Sequence, residues 1–379
     1  MSDGKPSAES LAAPGIHPHL EAAILADPLD FISWTALLNH VEQHATTIHP
    51  AVRAFDWFLG HFPLCWGYWC KYADLYRRLA CGDAPPSPAE HAAVVAIYER
   101  GVAEGASRYS VDMWQGYCTY MQAHSADAGA TRAVFEAALA AVGANPSAGP
   151  LWSMFAVFER AAGAGWERVC DIYTRALSEY LTDLPRLLDE LRAVAAAESL
   201  GAEEAAAPRL AAAAAAAAAS AAEVARRAPL EARLVRPFFH VKPLDATQLA
   251  AWRALLDLEE AASGAARVAA AYERCLVACA NYAEFWARYA LWTARAVGAA
   301  AACNVAGRAC AVLRRRPDVH LLCAELLEAA GYGDAARGMY ARVLSDLAPG
   351  LLEAAVRLAA LERRRGDAAA AVAAYRCAL

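Results

Sequence analysis

The sequence predicts an all-α fold, an α–α superhelix in which helical hairpins stack side by side as a solenoid in two arrays. Three observations indicate it. Apolar residues make up 58% of the sequence, and many of them are alanine, which favours helix more strongly than any other residue. Prolines and glycines fall mostly between apolar blocks, where turns are expected. Tryptophans recur at intervals of 34 to 45 residues in each half of the chain, which is the spacing of stacked helical hairpins.

A tryptophan marks the first helix of most predicted hairpins. Three residues later comes another large apolar side chain, and positions i and i+3 share one face of a helix. Each first helix therefore carries a bulky apolar stripe. The tryptophans are Trp34, Trp69, Trp114, Trp152, Trp252 and Trp286, and their partners are Leu37, Tyr72, Tyr117, Phe155, Leu255 and Tyr289.

An aromatic residue marks the second helix, and charged and small residues often follow it, as in Tyr98-Glu99-Arg100. Later first helices near 318–330 and 349–365 lack the tryptophan, which brings the expected total to about eight hairpins. Because one hairpin cannot cover its own apolar face, we expect these aromatic side chains to form core and not a ligand site. The second-helix aromatics are Phe55, Tyr98, Phe135, Tyr173, Tyr272, Tyr340 and Tyr375.

The period divides the chain into four segments. Residues 1–20 are polar and rich in Pro, Gly and Ser, which predicts a disordered tail. Residues 21–180 hold the N-terminal array of about four hairpins, and residues 246–379 hold a C-terminal array of about four. Between them, in residues 181–245, the period fails and an alanine-rich tract predicts a helical linker.

Charge and cysteine content restrict the classes of function. A net charge of −6 argues against binding nucleic acid through overall charge, which needs an excess of cations. The eleven cysteines are scattered through apolar helical contexts, which favours reduced thiols in the cytosol or nucleus over a disulfide framework. The sequence contains no apolar run typical of a signal peptide or a lipid-facing span, so we expect a soluble protein.

Motifs of catalysis are missing from the sequence. It has no Gly-Lys-Ser/Thr phosphate loop and no Gly-x-Gly-x-x-Gly after a strand, so we expect neither an enzyme nor a cofactor. His40 and His44 share one helix face, but no third metal ligand is indicated, and we expect exposed histidines. Cys275 and Cys279 have the same spacing without the paired short spacings of a zinc site, so we expect buried thiols and no metal.

Two polar features leave alternatives open. The triplets Arg314–Arg316 and Arg363–Arg365 end predicted helices, where cations offset the helix dipole, but they also predict a contact with RNA or an acidic partner. Between the arrays, Pro237 and Pro243 favour an extended chain. We interpret this segment as a rigid connector that docks Phe238 and Phe239 into the joint between arrays, while a ligand role for His240 and Lys242 stays open.

The connector carries a resemblance to a known family. Its run Arg236-Pro237-Phe238-Phe239-His240-Val241-Lys242-Pro243-Leu244 is similar to the Arg-Pro-Tyr-Phe-His-Val-Lys-Pro-Leu segment that opens the second array in the pre-mRNA-processing factor 39 family. Further matches include Tyr68-Trp69-Cys70-Lys71-Tyr72 and Val111-Asp112-Met113-Trp114. That family consists of half-a-TPR (HAT) repeats, and the resemblance covers about residues 27–379.

The resemblance implies a nuclear, non-catalytic scaffold that works with the U1 small nuclear ribonucleoprotein in 5′ splice-site recognition. It implies partners among the U1 proteins, and a homodimer, or a heterodimer with a related HAT protein, formed through C-terminal repeats. The alternative is a HAT protein of another RNA-processing complex, for 3′-end cleavage or ribosomal RNA processing, that binds RNA directly. The acidic net charge favours the first interpretation.

Overall fold

The computed structural model describes residues 18–103, 105–198 and 203–376, and in these residues it contains nineteen α-helices and no β-strand. The all-α prediction is therefore confirmed. The predicted tail of residues 1–20 lies outside the described residues except for its last three, which begin the first helix. The chain divides into two compact units between Ala251 and Trp252.

The first unit is made of hairpins in chain order, with one helix before them and two after them. Its helices are α1 (Pro18–Ala26), α2 (Phe31–His44), α3 (Ile48–His61), α4 (Trp66–Cys81), α5 (Pro88–Ala103), α6 (Val111–His124), α7 (Ala128–Val142), α8 (Gly149–Ala161), α9 (Trp166–Leu177), α10 (Leu184–Glu198) and α11 (Glu203–Glu231). Hairpins α2–α3, α4–α5, α6–α7 and α8–α9 correspond to the first four predicted pairs. The repeat pattern did not predict α1.

The second unit continues the same arrangement. Its helices are α12 (Ala246–Ala262), which begins six residues before the unit does, α13 (Ala265–Cys279), α14 (Ala283–Ala296), α15 (Ala299–Val312), α16 (Pro317–Ala329), α17 (Gly333–Arg342), α18 (Leu352–Arg364) and α19 (Ala368–Arg376). A π-helical turn, Val343–Leu347, follows α17. These helices form four further hairpins.

Helices α10 and α11 occupy much of the segment predicted as a linker, and both pack against α9. Ser220 of α11 donates a hydrogen bond to the Leu177 carbonyl at 2.9 Å. The guanidinium of Arg227 lies 4.4 Å from the centroid of the Tyr180 ring. Among the described residues no helix, α11 included, combines the length and the apolar character needed to cross a membrane.

The helices start and stop where the sequence supplies capping groups. The carboxylate of Asp30 accepts a hydrogen bond from the Ile32 N–H at the start of α2, and the Ser110 hydroxyl accepts one from Met113 at the start of α6. Such side chains satisfy N–H groups that the first helical turn leaves unpaired. Gly331 ends α16 with φ +85°, a left-handed conformation that favours glycine, and α17 then folds back to complete a hairpin.

The repeat places its tryptophans at one position of the helix. Trp34, Trp69, Trp114, Trp152 and Trp286 are each the fourth residue of their first helix, in α2, α4, α6, α8 and α14. In α16 the fourth residue is His320, which is fully buried and whose Nδ1 lies 2.9 Å from the Arg316 carbonyl oxygen. This histidine occupies the position from which the sequence had lost the tryptophan.

Candidate partner-binding surface

The indole groups tie each first helix to the loop before it. In four hairpins the indole N–H donates to the carbonyl oxygen six residues earlier, so the ring is both buried and hydrogen-bonded. These bonds run from Trp34 to Pro28 (2.9 Å), Trp69 to Pro63 (3.3 Å), Trp114 to Arg108 (2.7 Å) and Trp286 to Ala280 (2.8 Å). Trp152 donates to the Gly143 carbonyl at 3.0 Å. Trp252 is fully buried, but its Nε1 has no hydrogen-bond partner among the described residues.

Stacked rings join four of the hairpins to the hairpin that follows. The second-helix aromatic of one hairpin lies face to face with the aromatic three residues after the tryptophan of the following hairpin. Ring centroids are 5.2 Å apart for Phe55–Tyr72, 5.1 Å for Tyr98–Tyr117, 5.2 Å for Phe135–Phe155 and 4.7 Å for Tyr272–Tyr289. Such offset stacks stabilise a contact by about 0.5 to 1.5 kcal/mol beyond simple burial. The rings therefore form core and do not line a cleft.

An arginine two residues after the position of the second-helix aromatic covers the tryptophan of the same hairpin; in α15 that position holds Ala306. The guanidinium lies over the indole ring at 5.2 Å for Arg100 on Trp69, 5.2 Å for Arg175 on Trp152, 5.4 Å for Arg274 on Trp252 and 5.5 Å for Arg308 on Trp286. Tyr98-Glu99-Arg100 was recognisable as a motif in the sequence, but no contact was predicted for its arginine. An arginine recurs two residues after Tyr98, Tyr173 and Tyr272, and this recurrence could have indicated the contact with tryptophan.

Acidic residues of the preceding hairpin hold several of these arginines. Each stands directly after the second-helix aromatic, and the ion pair crosses from one hairpin to the next. The N–O distances are 3.0 Å for Asp56–Arg100, 3.0 Å for Glu136–Arg175 and 2.6 Å for Glu273–Arg308. The charged residues of the motif thus belong to the packing between repeats, and not to a catalytic group.

Two buried glutamates make further clamps between hairpins. Glu159 of α8 is 1% exposed and accepts two hydrogen bonds from Arg132 of α7, at 2.6 and 2.8 Å. The bonds from Arg132 lower the pKa of Glu159 below its usual value, against the opposing effect of burial. Glu362 of α18 accepts the same paired bonds from Arg337 of α17, at 2.6 and 2.7 Å. Paired bonds of this kind fix orientation as well as charge.

The last two second-helix aromatics differ from each other. Tyr340 is fully buried in the second unit, in a cluster with Leu321 and Leu361. Tyr375 is 41% exposed, so it does not have the core position predicted for it. Because α19 is the last described helix, no following first helix covers its outer face in the residues that the structure describes.

The connector between the arrays is held by its own polar groups. The Arg236 guanidinium donates to the Lys242 carbonyl at 2.9 Å, and His240 Nδ1 accepts the Lys242 backbone N–H at 2.9 Å. Gln248 closes the base of the loop: its Oε1 accepts the backbone N–H groups of Val235 and Arg236, and its amide donates to the Arg233 carbonyl at 2.7 Å. The sequence reasoning did not identify Gln248. This geometry favours the rigid-connector interpretation over a ligand role.

The two phenylalanines of the connector are placed differently. Phe239 is partly buried against the core of the first unit, and the neighbouring His240 ring lies 6.2 Å from the ring of Phe31 in α2. Phe238 is 43% exposed. Of the two rings expected to dock, Phe239 therefore packs on the first unit while Phe238 is exposed. The connector is bent at Phe238, Val241 and Lys242, so it is not the extended chain that its prolines predicted.

Most of the six triplet arginines have a hydrogen-bond or ion-pair partner within the fold. Arg316 pairs with Asp318 at 2.8 Å, Arg364 with Glu328, and Arg365 with Asp334 at 2.6 Å. Arg314 donates to the carbonyl of Ala311, at the end of α15, at 3.0 Å. Arg315 and Arg363 are exposed and have no hydrogen-bond partner in the described part of the chain. The triplets thus offer two unengaged guanidinium groups to a partner.

The other candidate metal and thiol residues stay apart from any cluster. The rings of His40 and His44 lie 4.6 Å apart, and Cys275 and Cys279 are both fully buried. Burial raises the pKa of Cys275 well above its usual value, so its thiol is unreactive. Across residues 18–103, 105–198 and 203–376 no three His, Cys, Asp or Glu side chains are grouped so as to hold a metal ion.

A groove crosses the first helices of the second unit. It consists of two adjoining cavities of about 310 and 430 Å³, which share Asp318 and Leu322 of α16. Its apolar floor exists because α14 presents small side chains to Leu322. The floor residues include Ala283, Ala287, Ala290, Val319, Leu321, Leu322, Ala348 and Leu351.

Charged residues stand along both sides of this groove. Its lining contains four carboxylates, Glu284, Asp318, Glu325 and Glu353, and two guanidinium groups, Arg316 and Arg357. Arg357 pairs with both Glu325 and Glu353, so two negative groups share one positive group. Asp318 pairs with Arg316. Glu284 pairs with Arg253 at 2.7 Å. With Arg253 counted, four carboxylates stand against three guanidinium groups, so a small excess of negative charge surrounds the apolar floor, which suits a segment that carries apolar and basic side chains.

Comparison with protein families matches both units. A model described as the PRP39 N-terminal HAT repeat matches residues 19–193, and a model described as the PRP39 C-terminal HAT repeat matches residues 225–364. The chain belongs to the PRP39 HAT-repeat family. The PRP39 resemblance noted in the connector and in the tryptophan motifs is thereby confirmed.

Curated PRP39 relatives occur in fungi, animals and plants. Pre-mRNA-processing factor 39 of Schizosaccharomyces pombe is 30% identical over 89% of this chain and 61% of its own length, and that of Homo sapiens is 30% identical over 90% and 57%. Pre-mRNA-processing factor 39-2 of Arabidopsis thaliana is 28% identical over 95% and 38%. The chain spans about three fifths of the length of the first two relatives.

The solved structures that align with this PRP39-family chain include a protein complex of low similarity. It is described as Naa15/Naa10 bound to HypK-THB, and it covers 94% of this chain and 64% of its own at 14% identity. The TM-score of 0.32 is too low for this likeness to bear on fold or function.

Proposed function

We propose that this chain is a non-catalytic scaffold of nuclear pre-mRNA splicing, which associates with the U1 small nuclear ribonucleoprotein and supports 5′ splice-site recognition through protein–protein contacts. The observation that carries the proposal is the match of PRP39 repeat models to both units, together with relatives named for pre-mRNA processing. The motif residues support a scaffold role, because their side chains pack between hairpins and none is placed to act as a reacting group.

The groove over α14, α16 and α18 is the proposed docking surface. Its occupant is a segment of a U1 particle protein that combines apolar side chains with Lys or Arg. The apolar floor around Leu322 would bury the first kind, and the excess of carboxylates would attract the second. Two cavities with a combined volume of about 740 Å³ accommodate a few side chains, which is the size of a short anchoring motif.

Affinity purification from nuclear extract tests both statements. Tagged wild-type chain should recover U1 proteins and U1 RNA, whereas L322R, which places a cation in the groove, should lose most of that recovery. V157E is the matched control, because Val157 is an exposed apolar residue of a first helix in the other unit, and it should behave as wild type. If wild type recovers no spliceosomal component, the splicing proposal fails. If L322R recovers as much as wild type, the docking surface lies elsewhere.

Self-association through the C-terminal repeats is the second part of the proposal. It is supported by apolar side chains that the last hairpin leaves exposed: Leu352 at 65%, Val356 at 43%, Val372 at 50% and Tyr375 at 41%. Leu352 and Val356 lie one turn apart on α18, and Val372 and Tyr375 lie one turn apart on α19; exposed apolar side chains grouped in this way are typical of an interface. Light scattering on the pure chain should give the mass of a dimer, and V356E should give a monomer. A monomeric wild type at micromolar concentration would contradict this part.

Direct RNA binding is the competing function, and the arginine triplets are its candidate site. Because four of the six guanidinium groups already have partners within the fold, we expect a secondary contribution. Replacing both triplets with Ser should leave the affinity for U1 RNA within about twofold and should change the salt dependence little. A large loss of affinity would support the RNA-binding interpretation instead.

A further inference from the structure

Basic side chains converge around one tyrosine where α4 ends, α5 begins and α6 ends. The His91 ring stacks on Tyr120 with 5.4 Å between centroids, and its Nδ1 lies 3.1 Å from the tyrosine oxygen. His124, one turn later on α6, packs against the same ring at 4.9 Å. The positive charge of Arg77 on α4 opposes the rise in the pKa of Tyr120 and adds to the fall in the pKa of His124, so the guanidinium lies in the neighbourhood of both side chains. We call these four residues the Tyr120 cluster.

The cluster has more donors than acceptors. Arg77 makes one weak hydrogen bond, to the Gly82 carbonyl at 3.3 Å, and no carboxylate lies within 4 Å of it among the described residues. When the Tyr120 hydroxyl donates to Nδ1 of His91, the Nε2–H of that ring remains as a further donor. His124 and His91 are each half-buried, which leaves them open to a ligand while holding their rings in place.

The acidic groups near the cluster either have another hydrogen-bond partner or lie too far from Arg77 to form an ion pair. Glu90 closes a capping box at the start of α5, where its carboxylate accepts the Ser87 backbone N–H at 2.7 Å. Asp74 stands one turn before Arg77 on α4, outside ion-pair distance. The charged or titratable groups around the cluster are Asp74, Arg77 and Cys81 on α4, Glu90 and His91 on α5, and Tyr120 and His124 on α6. Arg78 acts on Asp74 but not on Tyr120 or His124.

Helix capping explains part of this arrangement. Cations at the C-terminal ends of α4 and α6 offset the negative end of each helix dipole, and that accounts for Arg77 or His124 taken singly. It does not account for His91, which belongs to the first turn of α5, where a cation is unfavourable. Three basic groups, contributed by three helices and gathered around one tyrosine, are the arrangement of an anion site.

We propose that the Tyr120 cluster binds a phosphate monoester, presented by a phosphorylated Ser or Thr of a partner protein. Such a group carries about −1.5 to −2 charges and three strong acceptor oxygens, which matches one guanidinium fork and two imidazole donors. An RNA strand would need a continuous track of cations. The cluster is instead confined, with Glu90 and Asp74 at its borders, so a single dianion fits it better than a polyanion.

Binding at this site is coupled to protonation of His124. Burial, and then the positive charges of Arg77 and His91, lower the pKa of His124 below its usual value. A bound dianion offsets the two electrostatic causes and favours the protonated ring. Affinity should therefore rise as the pH falls from about 7.5 to about 6.5, above the second pKa of phosphate near 6.

Fluorescence anisotropy with the full chain tests the site. The probe is a fluorescein-labelled pentapeptide Gly-Ala-Ser-Ala-Gly with the serine phosphorylated, and the unphosphorylated peptide is its control. The phosphopeptide should bind at least about tenfold more tightly than the unphosphorylated form. R77Q and H124Q should each remove about tenfold of that affinity, and H124Q should reduce the rise in affinity between about pH 7.5 and pH 6.5. R78Q is the matched control, because Arg78 is an exposed neighbour on α4, and it should stay within twofold of wild type.

Several outcomes would overturn the proposal. The first is that the phosphorylated and unphosphorylated peptides bind with equal affinity. The second is that R78Q and R77Q lose equal affinity for the phosphopeptide. The third is that an oligouridine binds more tightly than the phosphopeptide and that R77Q weakens its binding. The last outcome would assign the cluster to RNA. Circular dichroism melts of each variant show whether it is folded, and a folded H124Q with unchanged affinity also counts against the site. The groove variant L322R should bind the phosphopeptide as wild type does, which separates this site from the docking groove.

Discussion

The stack between Phe135 of α7 and Phe155 of α8 offers a direct measurement of how hairpins hold together. Both rings are fully buried, and their centroids are 5.2 Å apart at an interplanar angle of 23°. Neither ring carries a hydroxyl, so leucine replaces each with an apolar side chain and leaves no polar group unpaired. We expect F135L and F155L each to lower the free energy of unfolding by about 1 kcal/mol.

The double variant separates stacking from burial. If the two rings interact directly, F135L and F155L together should lower the free energy of unfolding by less than the sum of their separate effects, and the difference should be about 0.5 to 1.5 kcal/mol. Urea unfolding followed by circular dichroism at 222 nm measures all four proteins. F135L with F285L is the control pair, because Phe285 is buried in the other unit, and its coupling should be below about 0.5 kcal/mol. A coupling in the stacked pair no larger than in the control would refute the reasoning.

Three further substitutions probe other contacts between hairpins. E159Q should make the free energy of unfolding depend less on pH in acid. Arg132 lowers the pKa of Glu159 in the folded state, so the Glu159 carboxylate stabilises the fold above its usual pKa of 4.5, and this stabilisation is lost as the pH falls through the folded-state pKa. Urea unfolding midpoints measured between about pH 6 and pH 3 for wild type and E159Q check this. G101A should lower the melting temperature, because its Cβ would collide with the Met113 methyl group and lie 3.1 Å from the ring of the buried Trp69; an unchanged melting temperature would contradict this close packing. Q248A should cost about 1 to 3 kcal/mol by leaving two connector N–H groups unpaired, and unchanged urea unfolding would contradict that role.

The hairpins could be predicted from the sequence because their signals are local. Trp69 and Tyr72 lie on one face of a single helix, and Tyr98 marks the next helix within thirty residues. A repeat period and a helix-face rule are then sufficient. The same rules led to Tyr375 as a core residue, which was wrong because its burial depends on a following hairpin that the described residues do not contain.

Contacts between distant segments could not be read in the same way. Arg100 was seen as part of a motif, but whether it meets Trp69 depends on how two helices cross, and no local rule supplies that angle. Gln248 binds backbone groups twelve and thirteen residues away, which its own neighbours in the sequence do not indicate. The groove exists because Ala287 faces Leu322 across two helices, and alanine in a helix ordinarily signals only helix propensity.

Site-specific photo-crosslinking tests the central claim most directly, that stacked PRP39-type hairpins present a groove that receives a splicing partner. A benzophenone amino acid placed at Leu322 in the groove, and another at Val157 on the other unit, would be activated in nuclear extract, and the crosslinked peptides identified by mass spectrometry. The account predicts crosslinks from position 322 to a U1 particle protein, at a segment with apolar and basic side chains, and few from position 157. Crosslinks to splicing proteins from position 157 but none from position 322 would contradict it.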